Sequence, residues 1–329
     1  MEVWRYSVNK INHFQKLLNQ TGIISALAID QRGALRKMMQ IHQENPVSDE
    51  QIKLFKSIIS SELSPYTSAI LLDAEYGIEA SQARAASCGF LMSYEKTGYD
   101  NTVAGRYPDI LDKWSVRRLR EAGADSCKFL LYYDVDEPTG INERKKAMIE
   151  RIGAECSAEE LPFFLEVVTY DARIKDSNSI EYAKLKPHKV IEAMKHFSDS
   201  RYGIDCLKVE VPVNMEFVEG YASSKADVIY TKAEAQSAFK EQSTATKLPF
   251  IFLSAGVSSE LFNETLNFAK ESESHFNGVL CGRATWAKAV EVYVKKGEVA
   301  TRGWCQKVGR QNIEKLNDTL EETATTILF

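Results

Sequence analysis

A lysine in the middle of an apolar strand is the first residue in this sequence that indicates chemistry. The segment "DCLKVEVP" covers residues 205–212, and its apolar residues alternate with Lys208 and Glu210. Burying a lysine side chain is costly unless the amine is paired with an acid or kept neutral. Because a neutral, buried amine can attack a carbonyl carbon, Lys208 is a candidate nucleophile for Schiff-base catalysis.

Three further strand-like segments carry a charged residue on the face opposite their apolar residues. Lys128 lies in "SCKFLLYY", Glu166 in "FFLEVVTY", and Asp30 at the end of "IISALAID". In a barrel of parallel strands, successive side chains point alternately into the barrel and toward the outer helices. The period of two therefore predicts that these three residues, with Lys208 and Glu210, face one barrel mouth.

A single charged residue in a strand usually belongs to a structural ion pair. A buried network that served only stability would gain little over apolar packing, so this convergence favours a functional site. We expect Lys128 to lower the pKa of Lys208 by its charge, Glu166 to transfer protons, and Asp30 to orient or deprotonate a hydroxyl group. Glu210 has two interpretations, a second partner of the site or a structural ion pair, and the latter is favoured.

Two segments at the ends of later strands are typical of anion sites. "FLSAGVSS" ends the seventh strand, and "LCGRATW" ends the eighth with Gly282 and Arg283. The loops after strands seven and eight commonly hold a phosphate in such barrels. "DQRGALRK" adds Gln31, Arg32 and Arg36, which predict a second phosphate site, although Arg32 can equally be interpreted as a solvated loop charge.

Eight strand-like segments alternate with amphipathic segments and must position these side chains. The strand-like segments are 23–30, 69–76, 89–95, 126–133, 163–170, 206–212, 249–256 and 278–286. This alternation predicts one α/β domain over residues 1–329, a (β/α)8 TIM barrel with extra helices near 8–20 and 305–325. The link after the second strand is short, so a reduced helix is expected there. The rival, a two-domain α/β protein, lacks the glycine-rich phosphate loop after its first strand.

Composition excludes several classes of function. The chain has 329 residues, 44% of them hydrophobic, and a net charge of −5, so no nucleic-acid partner is expected. No apolar run is long enough for a bilayer, and the first residues show no signal-peptide core. The six cysteines form no CxxC pair, which fits the reducing cytoplasm. The five histidines have no metal-ligand spacing, so neither a metal nor another cofactor is expected.

Long segments of the chain resemble one known family, the tagatose-1,6-bisphosphate aldolases. The segments that carry the resemblance are "GIISALAIDQRGALRKM", "SELSPYTSAILLDAEYG", "YEKTGYD", "GADSCKFLLYYDVDE", "PFFLEVVTYD", "LKVEVPVNMEFVEG", "FLSAGVSSELFNETL" and "FNGVLCGRATWA". The resemblance covers almost the whole chain and implies a metal-free class I aldolase with the (β/α)8 fold. It also implies a homo-oligomer, a dimer or larger, in a bacterial pathway for galactose or lactose through tagatose 6-phosphate.

The family's functional residues match positions of this sequence. The resemblance implies Lys208 as the Schiff-base lysine, Glu166 as the proton-handling group, Lys128 as the accessory lysine and Asp30 as the aspartate. The implied substrate-binding and phosphate-binding residues are Gln31, Ser254, Leu280, Gly282 and Arg283. The implied reaction is reversible cleavage of D-tagatose 1,6-bisphosphate to dihydroxyacetone phosphate and glyceraldehyde 3-phosphate, with fructose 1,6-bisphosphate also accepted.

Two alternative functions remain at this point. One is an aldolase of the same family that acts on another ketose phosphate, such as a sulfosugar phosphate, because the motifs would change little. The other is a sugar-phosphate-binding regulator without turnover. The intact set of Lys208, Glu166 and Lys128 argues against the regulator.

Overall fold

Eight parallel strands form a closed barrel. The computed structural model describes residues 7–96, 99–100 and 102–329. The strands pair in chain order, and the last strand pairs with the first. Their bounds are Ile24–Ala28 (β1), Ala69–Asp73 (β2), Gly89–Ser93 (β3), Ser126–Tyr133 (β4), Phe163–Thr169 (β5), Cys206–Val209 (β6), Phe250–Leu253 (β7) and Gly278–Cys281 (β8). Each predicted segment contains one strand, and the predicted TIM barrel is confirmed.

Helices surround the barrel, and one extra helix lies before the first strand and another near the end of the sequence. The α-helices of the described residues are Val8–Gln15 (α1), Gly33–Gln40 (α2), Asp49–Leu63 (α3), Ile78–Ala83 (α4), Val116–Glu121 (α5), Thr139–Ala158 (α6), Ile180–Phe197 (α7), Lys232–Thr244 (α8), Ser259–Glu271 (α9), Arg283–Trp304 (α10) and Arg310–Thr323 (α11). α1 and α11 are the predicted extra helices, and α4 is the predicted reduced helix. None of these helices is long and apolar enough to cross a membrane.

The strand side chains alternate between two apolar layers. One layer packs against the helices and contains the apolar residues that flank the inward charges: Leu27, Ile29, Cys127, Phe129, Leu131, Leu165, Val167, Leu207 and Val209. The other layer fills the barrel with alternate residues such as Ala26, Phe164 and Cys206. Because this alternation is strict, residues 128, 166 and 208 point into the barrel.

Residues from both ends of the chain close the amino-terminal end of the barrel. The ring of Phe14 lies 5.3 Å from that of Phe164 inside the barrel and 5.2 Å from that of Phe329. The backbone N–H of Ile327 donates to the carbonyl of Gly22 at 2.9 Å. With this end filled by apolar side chains, the carboxyl ends of the strands are the place for a site, as is general for this fold.

Several strands end earlier than the sequence predicted. β1 stops before Asp30 and β6 before Glu210, so both carboxylates lie just past their strands. At β8, Gly282 has φ −118° and ψ −99°, which is outside the strand conformation. The chain turns there, and Arg283 begins α10 instead of extending the strand to residue 286.

Close packing against α6 predicts a position where one added methyl group is costly. A Cβ atom on Gly153 would lie 1.8 Å from the carbonyl oxygen of Tyr202, whereas one on Gly140 of the same helix would meet nothing within 4 Å. We expect Gly153→Ala to lower the free energy of unfolding by about 1–3 kcal/mol. Gly140→Ala should leave it unchanged or raise it by up to ~1 kcal/mol. Urea unfolding of both variants checks this, and equal effects would contradict it.

Candidate active site

A cavity of about 510 Å³ opens at the carboxyl end of the barrel. It is lined by all nine residues that the family resemblance assigned to catalysis or substrate binding: Asp30, Gln31, Lys128, Glu166, Lys208, Ser254, Leu280, Gly282 and Arg283. They come from β1, β4, β5, β6, β7 and β8 or from the residues just after these strands. The barrel thus brings the predicted charges and the predicted anion-binding segments to one cavity.

Lys208 and Glu166 form a buried ion pair between neighbouring strands. They are direct partners in the register of β5 and β6, which places their side chains side by side in the barrel. The Lys208 Nζ atom lies 2.8 Å from Glu166 Oε1. Glu166 can therefore accept the proton that the amine must lose before it attacks a carbonyl carbon. That Lys208 reacts as a neutral amine remains a prediction.

Lys128 is surrounded by three carboxylates. Its Nζ atom lies 2.6 Å from Glu166 Oε2, 2.7 Å from Glu95 Oε1 and 3.0 Å from Asp30 Oδ2. Burial alone would lower the pKa of Lys128, but the charges of Asp30, Glu166 and Glu95 raise this pKa well above its usual range. Three carboxylates thus favour the charged form of Lys128, whereas Lys208 contacts one carboxylate, in the ion pair with Glu166.

The two lysines lower the pKa values of two carboxylates of the cavity. Burial alone would raise the pKa of Glu166, but the charges of Lys128 and then Lys208 outweigh burial and lower it. The same balance holds the pKa of Asp30 well below its usual range. Each oxygen of Glu166 faces one lysine, so this carboxylate links the two amines and is placed to accept a proton from Lys208.

Glu95 belongs to this cluster, although the sequence analysis did not single it out. It is 2% exposed, and its Oε2 atom accepts a hydrogen bond of 3.2 Å from the backbone N–H of Leu130. Burial raises the pKa of Glu95 above its usual value, against the opposing charge of Lys128. The missed signal was the strand period itself, because Leu91, Ser93 and Glu95 lie on one face and Leu91 is inside the barrel.

Arg32 is not a solvated loop charge, so that interpretation is wrong. Its side chain is 5% exposed, and its guanidinium group donates to Glu75 Oε2 at 2.7 Å and to the carbonyl of Glu95 at 2.8 Å. Arg36 pairs with Asp49 outside the barrel. Both arginines have structural partners, and Arg32 fixes the backbone beside the buried Glu95.

Glu210 forms an ion pair with a helix lysine, and both residues line the cavity. Its Oε2 atom accepts hydrogen bonds of 2.7 Å from both the backbone N–H and the hydroxyl group of Thr169. Its Oε1 atom lies 3.4 Å from the Nζ atom of Lys186 on α7. Glu210 thereby joins the ends of β5 and β6 to that helix.

The wall formed by β7 and β8 has the features of an anion site. After Ser254 the backbone turns through two residues with positive φ, Ala255 at 48° and Gly256 at 85°. The guanidinium group of Arg283 lies beside Gly256, since a Cβ atom there would be 3.3 Å from Nη2. Gly282 precedes the first turn of α10, whose free backbone N–H groups favour a negative charge. Among the described residues, no carboxylate lies within ion-pair distance of Arg283.

One acidic cluster outside the cavity has the spacing of metal ligands. Asp134, Asp136 and Asp171 place one carboxylate oxygen each within 4.8 Å of the others. The Nζ atom of Lys189 lies among them, 2.8 Å from Asp136 Oδ2 and 2.9 Å from Asp171 Oδ2, and also contacts Asp134. The lysine ammonium therefore occupies the position that a cation would take.

A (β/α)8 barrel with a buried lysine–carboxylate cluster in its mouth defines the class I aldolase type of site, and comparison with protein families agrees. The model of the DeoC/LacD family of aldolases matches residues 24–288. The chain belongs to this family, as the resemblance predicted, and is a carbon–carbon lyase.

The names of individual relatives are more specific than the family description. The chain is 59% identical over 323 residues to tagatose 1,6-diphosphate aldolase 1 of Enterococcus faecalis, with 98% of each chain covered. It is 58% identical over 320 residues to tagatose 1,6-diphosphate aldolase of Staphylococcus haemolyticus, with 97% and 98% covered.

Two solved structures share the fold at low sequence identity. Fructose-bisphosphate aldolase from Plasmodium falciparum, in its complex with TRAP and an inhibitor, aligns with a TM-score of 0.72, 15% identity and 98% of each chain covered. An archaeal fructose 1,6-bisphosphate aldolase aligns with a TM-score of 0.55 and 15% identity, with 91% of this chain and 99% of that chain covered. At this identity, the likeness supports the fold alone.

The charge of Lys128 predicts how the acid side of the pH profile of kcat/KM responds when this lysine is replaced. Lys128→Met removes the cation that most strongly opposes burial at Glu166, so the pKa of Glu166 should rise. On acidification Glu166 is then protonated at a higher pH. The fall of kcat/KM on the acid side of the profile should therefore move to higher pH. Lys96→Met is the matched control, because Lys96 lies on the rim and pairs with Asp109 and Asp112. An identical fall on the acid side for wild type and Lys128→Met would contradict the prediction.

Proposed function

We propose that this chain reversibly cleaves D-tagatose 1,6-bisphosphate to dihydroxyacetone phosphate and glyceraldehyde 3-phosphate through a Schiff base on Lys208. The observation that carries the mechanism is the position of Glu166, which contacts Lys208 with one oxygen and Lys128 with the other. The relatives named tagatose 1,6-diphosphate aldolase support the choice of substrate.

The residues of the cavity suit each step of this reaction. Glu166 takes a proton from Lys208, and the neutral amine adds to the C2 carbonyl to give a carbinolamine. Glu166 then returns the proton to the carbinolamine hydroxyl group, which leaves as water as the iminium forms, so Glu166 is a carboxylate again. Glu166 or Asp30 then removes the proton of the C4 hydroxyl group, the C3–C4 bond breaks, and glyceraldehyde 3-phosphate leaves. The electron pair of that bond enters the iminium and gives an enamine. Protonation at C3 and hydrolysis release dihydroxyacetone phosphate and return the amine.

The anion wall is the part of the cavity formed by Ser254, Gly282 and Arg283, and it suits the phosphate on the dihydroxyacetone side of the substrate. Ser254, Gly282 and Arg283 lie on β7, β8 and the start of α10, next to Lys208 on β6 in the barrel order. Phosphate contacts there supply binding energy remote from the scissile bond, which orients the C2 carbonyl over the amine.

The proposal extends to the organisation of the protein. Residues 1–329 form one catalytic domain, supported by the contacts of Phe14 and Ile327 with the barrel. The place of action is the cytoplasm, supported by six cysteines that are all buried, unpaired thiols. The active form is a homo-oligomer, a dimer or larger, for which the family resemblance is the support.

The carboxylate environments of the two lysines predict which of them forms the covalent adduct. Lys128 is held as a cation by three carboxylates, whereas Lys208 contacts one, so Lys208 should react. Dihydroxyacetone phosphate followed by borohydride should add a reduced adduct to the peptide that contains Lys208, as read by mass spectrometry. Borohydride without the ketone is the control. An adduct confined to Lys128 would exclude the proposed role of Lys208.

The cavity predicts weak selectivity at C4 of the substrate. The groups near the scissile bond, Glu166, Asp30 and Lys128, are ionic and can reach a hydroxyl group of either configuration. A coupled assay for triose phosphate should therefore show cleavage of both tagatose and fructose 1,6-bisphosphate. A preference above about 10⁴, the range of a dedicated hydrogen-bonding site, would contradict this. In the same assay Arg283→Ala should raise KM for both epimers by a similar factor, while Lys288→Ala, an exposed change on the same helix, should not.

A further inference from the structure

A ketose bisphosphate has a phosphate at each end, and the anion wall accounts for one of them. The cations that line the cavity are Arg32, Lys96, Lys128, Lys186, Lys208 and Arg283. Arg32 and Lys96 each have structural acidic partners, and Lys128 is enclosed by three carboxylates. Lys208 is the proposed nucleophile. Among the described residues that line the cavity, Lys186 is therefore the remaining cation with capacity for a second phosphate, because its acidic partner, Glu210, lies 3.4 Å away.

Lys186 is held at the edge of the cavity without being fully used by its partner. Its side chain is largely buried, and its Nζ atom lies 3.4 Å from Glu210 Oε1, longer than the mode for a charged N–H to carboxylate hydrogen bond. Glu210 itself is fixed by two hydrogen bonds of 2.7 Å from Thr169, and its backbone carbonyl accepts from Gln242 Nε2 at 2.8 Å. The ammonium group is thus positioned by a rigid carboxylate and keeps N–H donors for a ligand.

Polar side chains from two loops line the cavity near this lysine. Ser177 and Asn178 follow β5, and Asn214 follows β6. Asn214 Oδ1 accepts a hydrogen bond of 3.1 Å from the backbone N–H of Glu216, which leaves the Nδ2 group as a donor. Hydroxyl and amide donors beside an ammonium group are suitable ligands for phosphate oxygens. Glu216 also lines this rim and is an exposed residue.

The barrel order places this group of residues on the opposite side of Lys208 from the anion wall. β6 carries Lys208, β7 and β8 lead to Ser254 and Arg283, and Lys186 lies on α7 between β5 and β6. A substrate whose C2 carbonyl lies over Lys208 would direct its C1 phosphate to one side and its C6 phosphate to the other. We infer that Lys186, with Asn214 and the Ser177–Asn178 segment, binds the C6 phosphate, which is the phosphate of glyceraldehyde 3-phosphate. This inference rests on the proposed function.

The condensation direction separates the two phosphate sites, because each substrate then carries one phosphate. Lys186→Met keeps the length of the side chain and removes its charge. Loss of charge-assisted hydrogen bonds to phosphate should raise KM for glyceraldehyde 3-phosphate by about 10- to 10²-fold. KM for dihydroxyacetone phosphate should stay unchanged, as should the rate with unphosphorylated glyceraldehyde as acceptor. Lys184→Met, an exposed change on the same helix, is the matched control and should behave as wild type.

A double variant distinguishes phosphate binding from a structural role of the ion pair. Lys186→Met with Glu210→Gln removes both charges, so it should keep the raised KM for glyceraldehyde 3-phosphate. Recovery of wild-type KM in the double variant would show that Lys186 serves only to neutralise Glu210, and would overturn the inference. An equal loss with phosphorylated and unphosphorylated acceptors would also overturn it. If wild type itself forms no ketose bisphosphate while dihydroxyacetone phosphate still traps on a lysine, the proposed function fails and the inference falls with it.

Discussion

The shared carboxylate of Glu166 is the interaction on which the rest of the cavity depends. One carboxylate faces two buried lysines, at 2.8 Å from Lys208 and 2.6 Å from Lys128. Taking these charges out of water costs several kcal/mol per ion, and only close pairing offsets that cost. Apolar side chains of similar size would fill the barrel at least as well, so stability alone does not account for the cluster. Its unequal pairing does suit chemistry, because one amine is fixed as a cation and the other has a single carboxylate in contact.

The period of the strands was sufficient to predict the centre of the site. Lys128, Glu166 and Lys208 each lie between residues that pack against the helices, and a one-residue shift would have turned all of them outward. The same rule applied to β3 would have added Glu95. The strand ends were less predictable, since Gly282 leaves the strand through a backbone conformation that its sequence context does not specify. The partner of Arg32 was not predictable either, because Glu75 comes from the next strand's loop and its distance depends on tertiary packing.

Helix lysines that reach inward were not among the residues predicted from the sequence. Lys56 on α3 is fully buried, donates to the carbonyl of Ile29 at 2.9 Å and pairs with Asp73. Burial lowers the pKa of Lys56 against the opposing charge of Asp73. Lys56 lies on the same helix face as Ile52 and Ile59, and Lys186 on the same face as Tyr182, so the helical period marks both as inward. Only the fold shows that their ammonium groups meet strand ends. Lys56 thereby holds the backbone next to Asp30, just as Lys186 and Glu210 hold the ends of β5 and β6.

The charge balance of the cavity follows from this arrangement as the proposed reaction proceeds. When Lys208 becomes an iminium, it keeps a positive charge at the position that Glu166 already faces, so the carboxylate needs no reorganisation. When the C3–C4 bond breaks, that charge disappears as the enamine forms, and a proton from the C4 hydroxyl group must reside on a nearby base. Lys128 remains a cation throughout because Asp30 and Glu95 still surround it. The cluster can thus hold one proton more or less on Glu166 while its other charges stay fixed, and this is the property that a Schiff-base cleavage requires of its surroundings.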